Sequence, residues 1–342
     1  MRILYYEKDW QAWDAYVARH PGGTIYHTSA WYHIITRHFK KRVFYLAAEE
    51  GGALHGVLPL VHFKSPLFGK FMVSVPYVNY GGLLADNATA EQQLIREAAA
   101  LRQKLGADFV ELRDVEEKDY NLPVKSHKVT FYLDLPDDPD TLMASFKAKL
   151  RSQIRRPMKD GITAEVGGME LLNDFYDVFS HNMRDLGTPV YSKGLFKTIL
   201  EETPENSRIV IVRSKEGQAI GGAFVHGYKQ RLEIPWASTL RAFNRLSPNM
   251  LMYWEVLRYA IEAGYKQFDF GRCSRDSGTY RFKKQWGSTE HPLYWYYILP
   301  EGEELPEINP DNPKYRMAIN LWQKLPVPIT KMIGPSIIKH LP

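Results

Sequence analysis

The chain has 342 residues, 44% hydrophobic and 24% charged, the balance of a globular rather than a disordered protein, and its length suggests about two domains. A single cysteine, Cys273, excludes an internal disulfide and any cysteine-rich metal site and fits a reducing compartment. The net charge of +5 is too weak to imply nucleic acid and is unevenly placed: Asn312 to Pro342 holds five bases and no acid, so the remainder carries 39 bases against 39 acids. The opening MRILYYEKDWQAWD has acids where a signal peptide needs an apolar run. No stretch reaches the roughly 18 apolar residues of a membrane span. The expected location is the cytoplasm, or peripherally the inner face of the membrane.

In chain order, Asp9 to His20 reads as a short helix ending at Pro21-Gly22-Gly23, and Ser29 caps a second from Ala30 to His38. Three β-rich runs follow, VFYLAAEE, LHGVLPLVHF and FMVSV, separated by Gly51-Gly52 and by Ser65 to Gly69. ATAEQQLIREAAALRQKLG is a strong helix stopped by Gly106, and ADFVELRDV is the next strand. Helices are then expected over Leu142 to Lys159, Met169 to Leu186 and Lys193 to Glu201. RIVIVR, AIGGAFVHG and RLEIPWAS are strands, Pro248 to Ala263 is a helix stopped by Gly264, and KQFDF is a strand. The same order occurs twice, and the junctions from Gly106 to Arg113 and from Gly264 to Arg272 echo each other. Two similar α/β domains with mixed sheets from a duplicated unit are therefore expected, covering residues 1–138 and 139–304 and followed by a basic amphipathic tail, 305–342.

The sequence lacks GxGxxG after a strand, GxxxxGK[ST], HExxH and GxSxG, and its 11 histidines lack ligand spacing. Hydride transfer, P-loop phosphoryl transfer and zinc hydrolysis lose their usual signatures, and no metal is expected. The meander–helix–strand order is that of GNAT-type acyltransferases. FDFGR, SGTYRFKKQWG, SPNMLMYWEVLRYAIEAGY and KLRSQIRRPMKDGI together resemble FemAB-type proteins over roughly Ile25 to Ile298, most closely the FemAB-like branch found with exosortase/PEP-CTERM exopolysaccharide systems. The resemblance implies tandem GNAT-like domains that transfer an activated acyl or aminoacyl group to an amine of a cell-envelope or exopolysaccharide precursor, in a cleft between the domains. It implies no tightly bound cofactor, the donor being aminoacyl-tRNA or acyl-CoA.

Within that frame Lys283 resembles the family residue that contacts the leaving group or its phosphates, with Arg281 neutralising the leaving group and Tyr280 as a proton relay. A solvated helix face anchored by Phe282 and Trp286 explains the same letters. Asp269, facing away from Phe268 and Phe270, is either a general base or an ion-pair partner of Arg272. Glu233 is a comparable base, and Trp236 beside it a pocket wall. In SFKAKLRSQIRRPMK, Arg151 and Arg155 share a helix face that either meets phosphates of tRNA, a nucleotide-linked acceptor or coenzyme A, or is simply solvated. PYVNYGGLLAD occupies the place of the family's substrate loop, making Asn79 and Tyr80 acceptor candidates alongside Trp31 and Arg37. The stretch TLRAFNRLSPN lacks the glycines of a pyrophosphate cradle, which leans toward aminoacyl-tRNA. The tail is expected to pack on the first domain as far as about Leu325, with its last dozen residues meeting an anionic membrane surface. Two readings of other classes are a non-catalytic membrane-peripheral adaptor that keeps the fold, and an RNA-binding protein.

Overall fold

The structure, a computed structural model, describes residues 1–65, 69–275, 277–306 and 313–341. Part of the expected turn at Ser65 to Gly69 and the start of the tail lie outside these residues. In chain order the elements are β1 (Arg2–Tyr6), α1 (Gln11–Arg19), α2 (Ser29–Ile34), β2 (Arg42–Glu50), β3 (Ala53–Ser65), β4 (Gly69–Val73), β5 (Leu84–Ala85), α3 (Ala88–Leu105), β6 (Phe109–Asp114) and β7 (Val124–Asp134). There follow α4 (Pro139–Ser145), α5 (Ala148–Lys159), β8 (Thr163–Gly167), α6 (Leu172–Leu186), α7 (Lys193–Glu202), β9 (Ser207–Arg213), β10 (Ala219–Tyr228) and β11 (Arg231–Thr239). The last are α8 (Pro248–Glu262), β12 (Gln267–Asp269), β13 (Cys273–Ser274), α9 (Gly278–Lys284), β14 (Thr289–Ile298), α10 (Pro313–Lys324) and α11 (Val327–Ile338).

The chain forms two units with the same strand order. In unit 1, β1, β2, β3 and β4 form an antiparallel meander, β6 pairs parallel to β4, and β14 pairs antiparallel to β6. In unit 2, β8 to β11 form the meander, β12 pairs parallel to β11, and the end of β7 pairs antiparallel to β12. Each parallel step needs a crossover helix, supplied by α3 and α8. This is the expected duplication, with one correction of boundaries. Thr130 onward belongs to unit 2, because Tyr132, Leu133 and Asp134 complete its sheet, whereas the strand after His291 belongs to unit 1.

Local chemistry explains the elements. Asn87 caps α3 by accepting from Ala90 N at 3.0 Å, and Ala90, Leu94, Ala98 and Leu101 form its buried stripe. Gly106, at φ 59°, ends the helix in the left-handed conformation. The core of unit 1 lies between this stripe and the sheet, where Leu46, Leu58, Leu60, Met72 and Val110 meet it. In unit 2, β10 is buried over most of its length because α6 and α8 both pack on it, which accounts for its continuous apolar run. The single helix expected over Leu142 to Lys159 is two helices. Phe146 turns extended to bury its ring, and Arg151 donates to the carbonyls of Ala144 (3.2 Å) and Phe146 (2.6 Å), satisfying the end of α4.

The tail differs from expectation too. α10 and α11 pack on α6 of unit 2 rather than on the first domain. Gly187 ends α6 at φ 77°, and a Cβ there would lie 2.4 Å from Ile319 Cγ2 on α10. Gly187→Ala is expected to lose at least about 1–2 kcal/mol from the left-handed backbone alone, measured by urea unfolding, and to speed proteolysis within α10. Unchanged unfolding and proteolysis would contradict this packing.

Candidate functional site

In unit 2 the parallel pairing of β11 with β12 sets Glu233 beside Asp269, and both are buried. Asp269 accepts from Thr130 Oγ1 and from Gly271 N (2.8 Å), so its carboxylate fastens the turn that leaves β12. α9 begins at Ser277, whose Oγ accepts from Tyr280 N at 3.1 Å, and carries Lys283 inward. Lys283, only 3% exposed, donates from Nζ to the carbonyls of Gly271 (2.6 Å) and Arg272 (3.1 Å). Burial pulls its pKa down to about 8, while Cys273, Asp269 and Glu233 act in the opposite direction. The ammonium thus faces the buried turn and not an open face of the helix. β11 runs on from Ile234 to Thr239 past its short pairing with β12, and no strand among the described residues pairs with that side of it.

The other candidates of this unit are placed differently. Phe282 and Trp286 are anchors as expected, Trp286 lying 5.5 Å from Phe146 and 6.1 Å from both Tyr253 and Phe282. Tyr280 donates to Glu290 Oε2 at 2.5 Å, and Arg275 Nε to Glu290 Oε1 at 2.8 Å. These contacts, Tyr280 first, hold the Glu290 carboxyl below its usual range. Arg281 is exposed on α9. Trp236 is a buried wall among Phe196, Phe224 and His226. Arg151 is committed to the end of α4, while Arg155 is exposed on α5. The structure therefore gathers Lys283, Asp269 and Glu233 and leaves Arg281 and Arg155 at the surface.

In unit 1, Trp31 is buried edge-on to Tyr26, which also meets Tyr80, and Asn79 is buried nearby in sequence. Arg37 is exposed on the π-helical turn after α2. Tyr80, Gly81 and Gly82 line a pocket with Glu91, Asp114 and Lys118. His27 takes a bond at Nδ1 from Thr24 N (3.2 Å), so its Nε2 donates to Gly82 O (3.0 Å), and Gly81 N donates to Arg113 O (3.1 Å). These bonds press the loop against β6 so closely that a Cβ on Gly82 would fall 2.1 Å from Asp114 Oδ1. Only glycine permits that approach.

Asp114 is the residue that sequence reasoning missed. β6 ends in three buried ionisable residues, Glu111, Arg113 and Asp114. The first two pair at 2.7 Å, and Tyr297 Oη donates to Glu111 Oε2 at 2.7 Å. Asp114 Oδ2 has no hydrogen-bond partner among the described residues. Burial pushes the Asp114 carboxyl up to about 8; Lys118 opposes this, and Glu91 and Glu116 add to it. The signal in the sequence was the charge density of ELRD inside an otherwise apolar strand.

A carboxyl with a raised folded pKa keeps its proton in the fold after the unfolded chain has lost it. Its contribution to stability is therefore lost as pH rises from the unfolded value near 4 through about 8. Asp114→Asn is expected to unfold in more urea than the parent at about pH 9, by at least about 1.4 kcal/mol, and to flatten the pH dependence over that window. A parent whose stability is flat there would contradict the burial of Asp114.

Residues 144–284, from the end of α4 to the end of α9, match the family model described as "Acetyltransferase (GNAT) domain". No curated protein matches the chain in sequence. Among solved structures, FemX superposes with a TM-score of 0.67 at 17% identity, covering 87% of this chain and 98% of that one. L-PGS from Bacillus licheniformis gives 0.60 at 15% identity, covering 96% and 98%. A tandem GNAT protein from the clavulanic acid biosynthesis pathway gives 0.53 at 11% identity, covering 89% and 99%. At these identities the likeness is one of fold. The two units are thus tandem GNAT-like domains, and the resemblance to FemAB-type proteins drawn from the FDFG and FKKQWG motifs holds at the level of the fold.

Proposed function

We propose that the protein is an N-acyltransferase or aminoacyltransferase that moves an activated acyl or aminoacyl group onto an amine of a cell-envelope or exopolysaccharide precursor. Support for acyl transfer comes from the match of unit 2 to the GNAT acetyltransferase domain. The FemAB-like motifs support an envelope or exopolysaccharide acceptor, as in systems of the exosortase/PEP-CTERM kind. The observation that carries the amine acceptor is the unit 1 pocket, lined by Glu91, Asp114 and Glu116 beside Arg113 and Lys118, with Asp114 Oδ2 buried there and without a hydrogen-bond donor among the described residues. A buried oxygen without a donor is suited to accept a hydrogen bond from an amine N–H.

In the proposed chemistry the ionised fraction of Asp114, which grows as pH approaches about 8, accepts a hydrogen bond from the acceptor amine and takes its proton. The amine nitrogen then forms a bond to the donor carbonyl carbon, the bond to the oxygen or sulfur breaks, and the leaving group departs as an anion that takes a proton from solvent. A carboxyl that titrates near 8 is suited to hold that proton at neutral pH. Lys283 keeps the turn after β12 in shape, and its charge lies beside the carbonyls of Gly271 and Arg272. The donor is aminoacyl-tRNA or acyl-CoA. The TLRAFNRLSPN stretch forms a 3-10 turn over Arg241–Leu246, then Ser247 in the left-handed region, with no glycine cradle before α8.

Mass spectrometry of the native protein after gentle purification tests the donor, a retained coenzyme A species favouring acyl-CoA. Asp114→Ala is expected to lower transfer kcat by about 10²–10⁴-fold, with the pH–rate profile losing its limb near 8. Full activity in that variant would overturn the acceptor assignment. Lys283→Ala is expected to lose about 1–3 kcal/mol as two carbonyls lose their donor, and transfer activity with it. A variant that keeps both its melting temperature and its full rate would leave Lys283 with no part in the transfer.

A further inference from the structure

The outer faces of α10 and α11 are chemically out of place for a surface exposed to water. Five large apolar side chains stand exposed there: Met317, Leu321, Ile329, Met332 and Ile337. Met332 is 72% exposed, Met317 63% and Leu321 59%, so most of each side chain meets water. The inner faces are already covered. Trp322, Val327, Thr330, Gly334 and Ile338 are buried, Arg184 Nη1 donates to Leu325 O at 3.1 Å, and Gln323 Nε2 donates to Asp185 O at 3.1 Å. A helix that is apolar all round is normally covered on every side.

The charge pattern selects what covers it. α11 has one ionisable residue, Lys331, which is spent on the Asp177 carboxylate at 2.5 Å. Exposed Lys324 precedes the helix and exposed Lys339 follows it, and no acid occurs from Asn312 onward. A two-fold contact with a second copy would set base against base. An anionic bilayer meets both requirements, taking the apolar side chains below its headgroups and the lysines at their level. No helix among the described residues is long and apolar enough to cross a membrane, so the contact is a surface one. We infer that the outer faces of α10 and α11, through Met317, Leu321, Ile329 and Met332, dock the protein on an anionic lipid surface.

The test is co-sedimentation of the full chain with vesicles of equimolar phosphatidylglycerol and phosphatidylcholine, and with vesicles of phosphatidylcholine alone. The protein is expected to pellet with the first and not the second, with binding that weakens as salt rises. Ile329→Glu with Met332→Glu is expected to weaken binding at least about tenfold. Because both side chains are exposed, the melting temperature should not change. Absence of binding to either vesicle, equal binding to both, or undiminished binding by the double variant would overturn the inference. So would a concentration-dependent dimer that the double variant abolishes, since a second copy would then cover the face. Transfer to a soluble amine without vesicles reads the proposed activity separately, so the two ideas can fail independently.

Discussion

A carboxylate buried at the end of a parallel strand is the constraint that both units share. Glu111 in β6 pairs in register with Val73, and Asp269 in β12 with Glu233, each straight after a crossover helix. The Gly106 and Gly264 junctions align these two acids with each other. A buried charge without compensation would cost several kcal/mol, so each unit has had to build a partner for it. Unit 1 uses the strand itself, with Arg113 two residues on, its guanidinium also lying 4.7 Å over the Trp295 ring. Unit 2 uses the turn, with Thr130 and Gly271 N–H on the carboxylate and Lys283 brought in from α9.

The two solutions lead to different sites. Because Arg113 is occupied by Glu111, the next residue in unit 1, Asp114, has no ion pair among the described residues, and burial raises its carboxyl pKa. The glycine pair of the 76–86 loop then closes over it. In unit 2 the lysine reaches the turn from α9, so the helix needs fixed anchors. The Phe146, Tyr253, Phe270 and Trp286 rings supply them, and the same packing breaks α4 from α5 at Phe146. An aromatic content of 13% is in part the consequence of holding charged groups still inside a core.

Much of this was legible in advance. Capped, glycine-stopped helices such as α3 and α8 and the apolar runs of β2, β3, β9 and β10 have strong local signals, and the duplication follows from their order. β1, β7, β8 and β14 were not read, because they are short or mixed in polarity and are strands by virtue of the neighbours they pair with. Phe282 and Trp286 were legible as anchors. Lys283 was legible as special, but its direction was not, since a lysine in FKKQWG has the same letters whether its ammonium meets solvent or the carbonyls of Gly271 and Arg272. Arg151 lost its expected surface role to the end of α4, which only the break at Phe146 creates.

The sequence by itself determined what depends on neighbours along the chain: helix starts and stops, strand alternation, the repeat, the acid-free tail and the motifs that resemble those of FemAB-type proteins. Tertiary structure decided what depends on distance through space. It set the exchange of last strands between the halves, the burial that raises Asp114, the close approach of Gly82, and the packing of the tail on α6. The reason is physical. Capping and periodicity act over a few residues, whereas desolvation and ion pairing depend on which distant segments exclude water around a group.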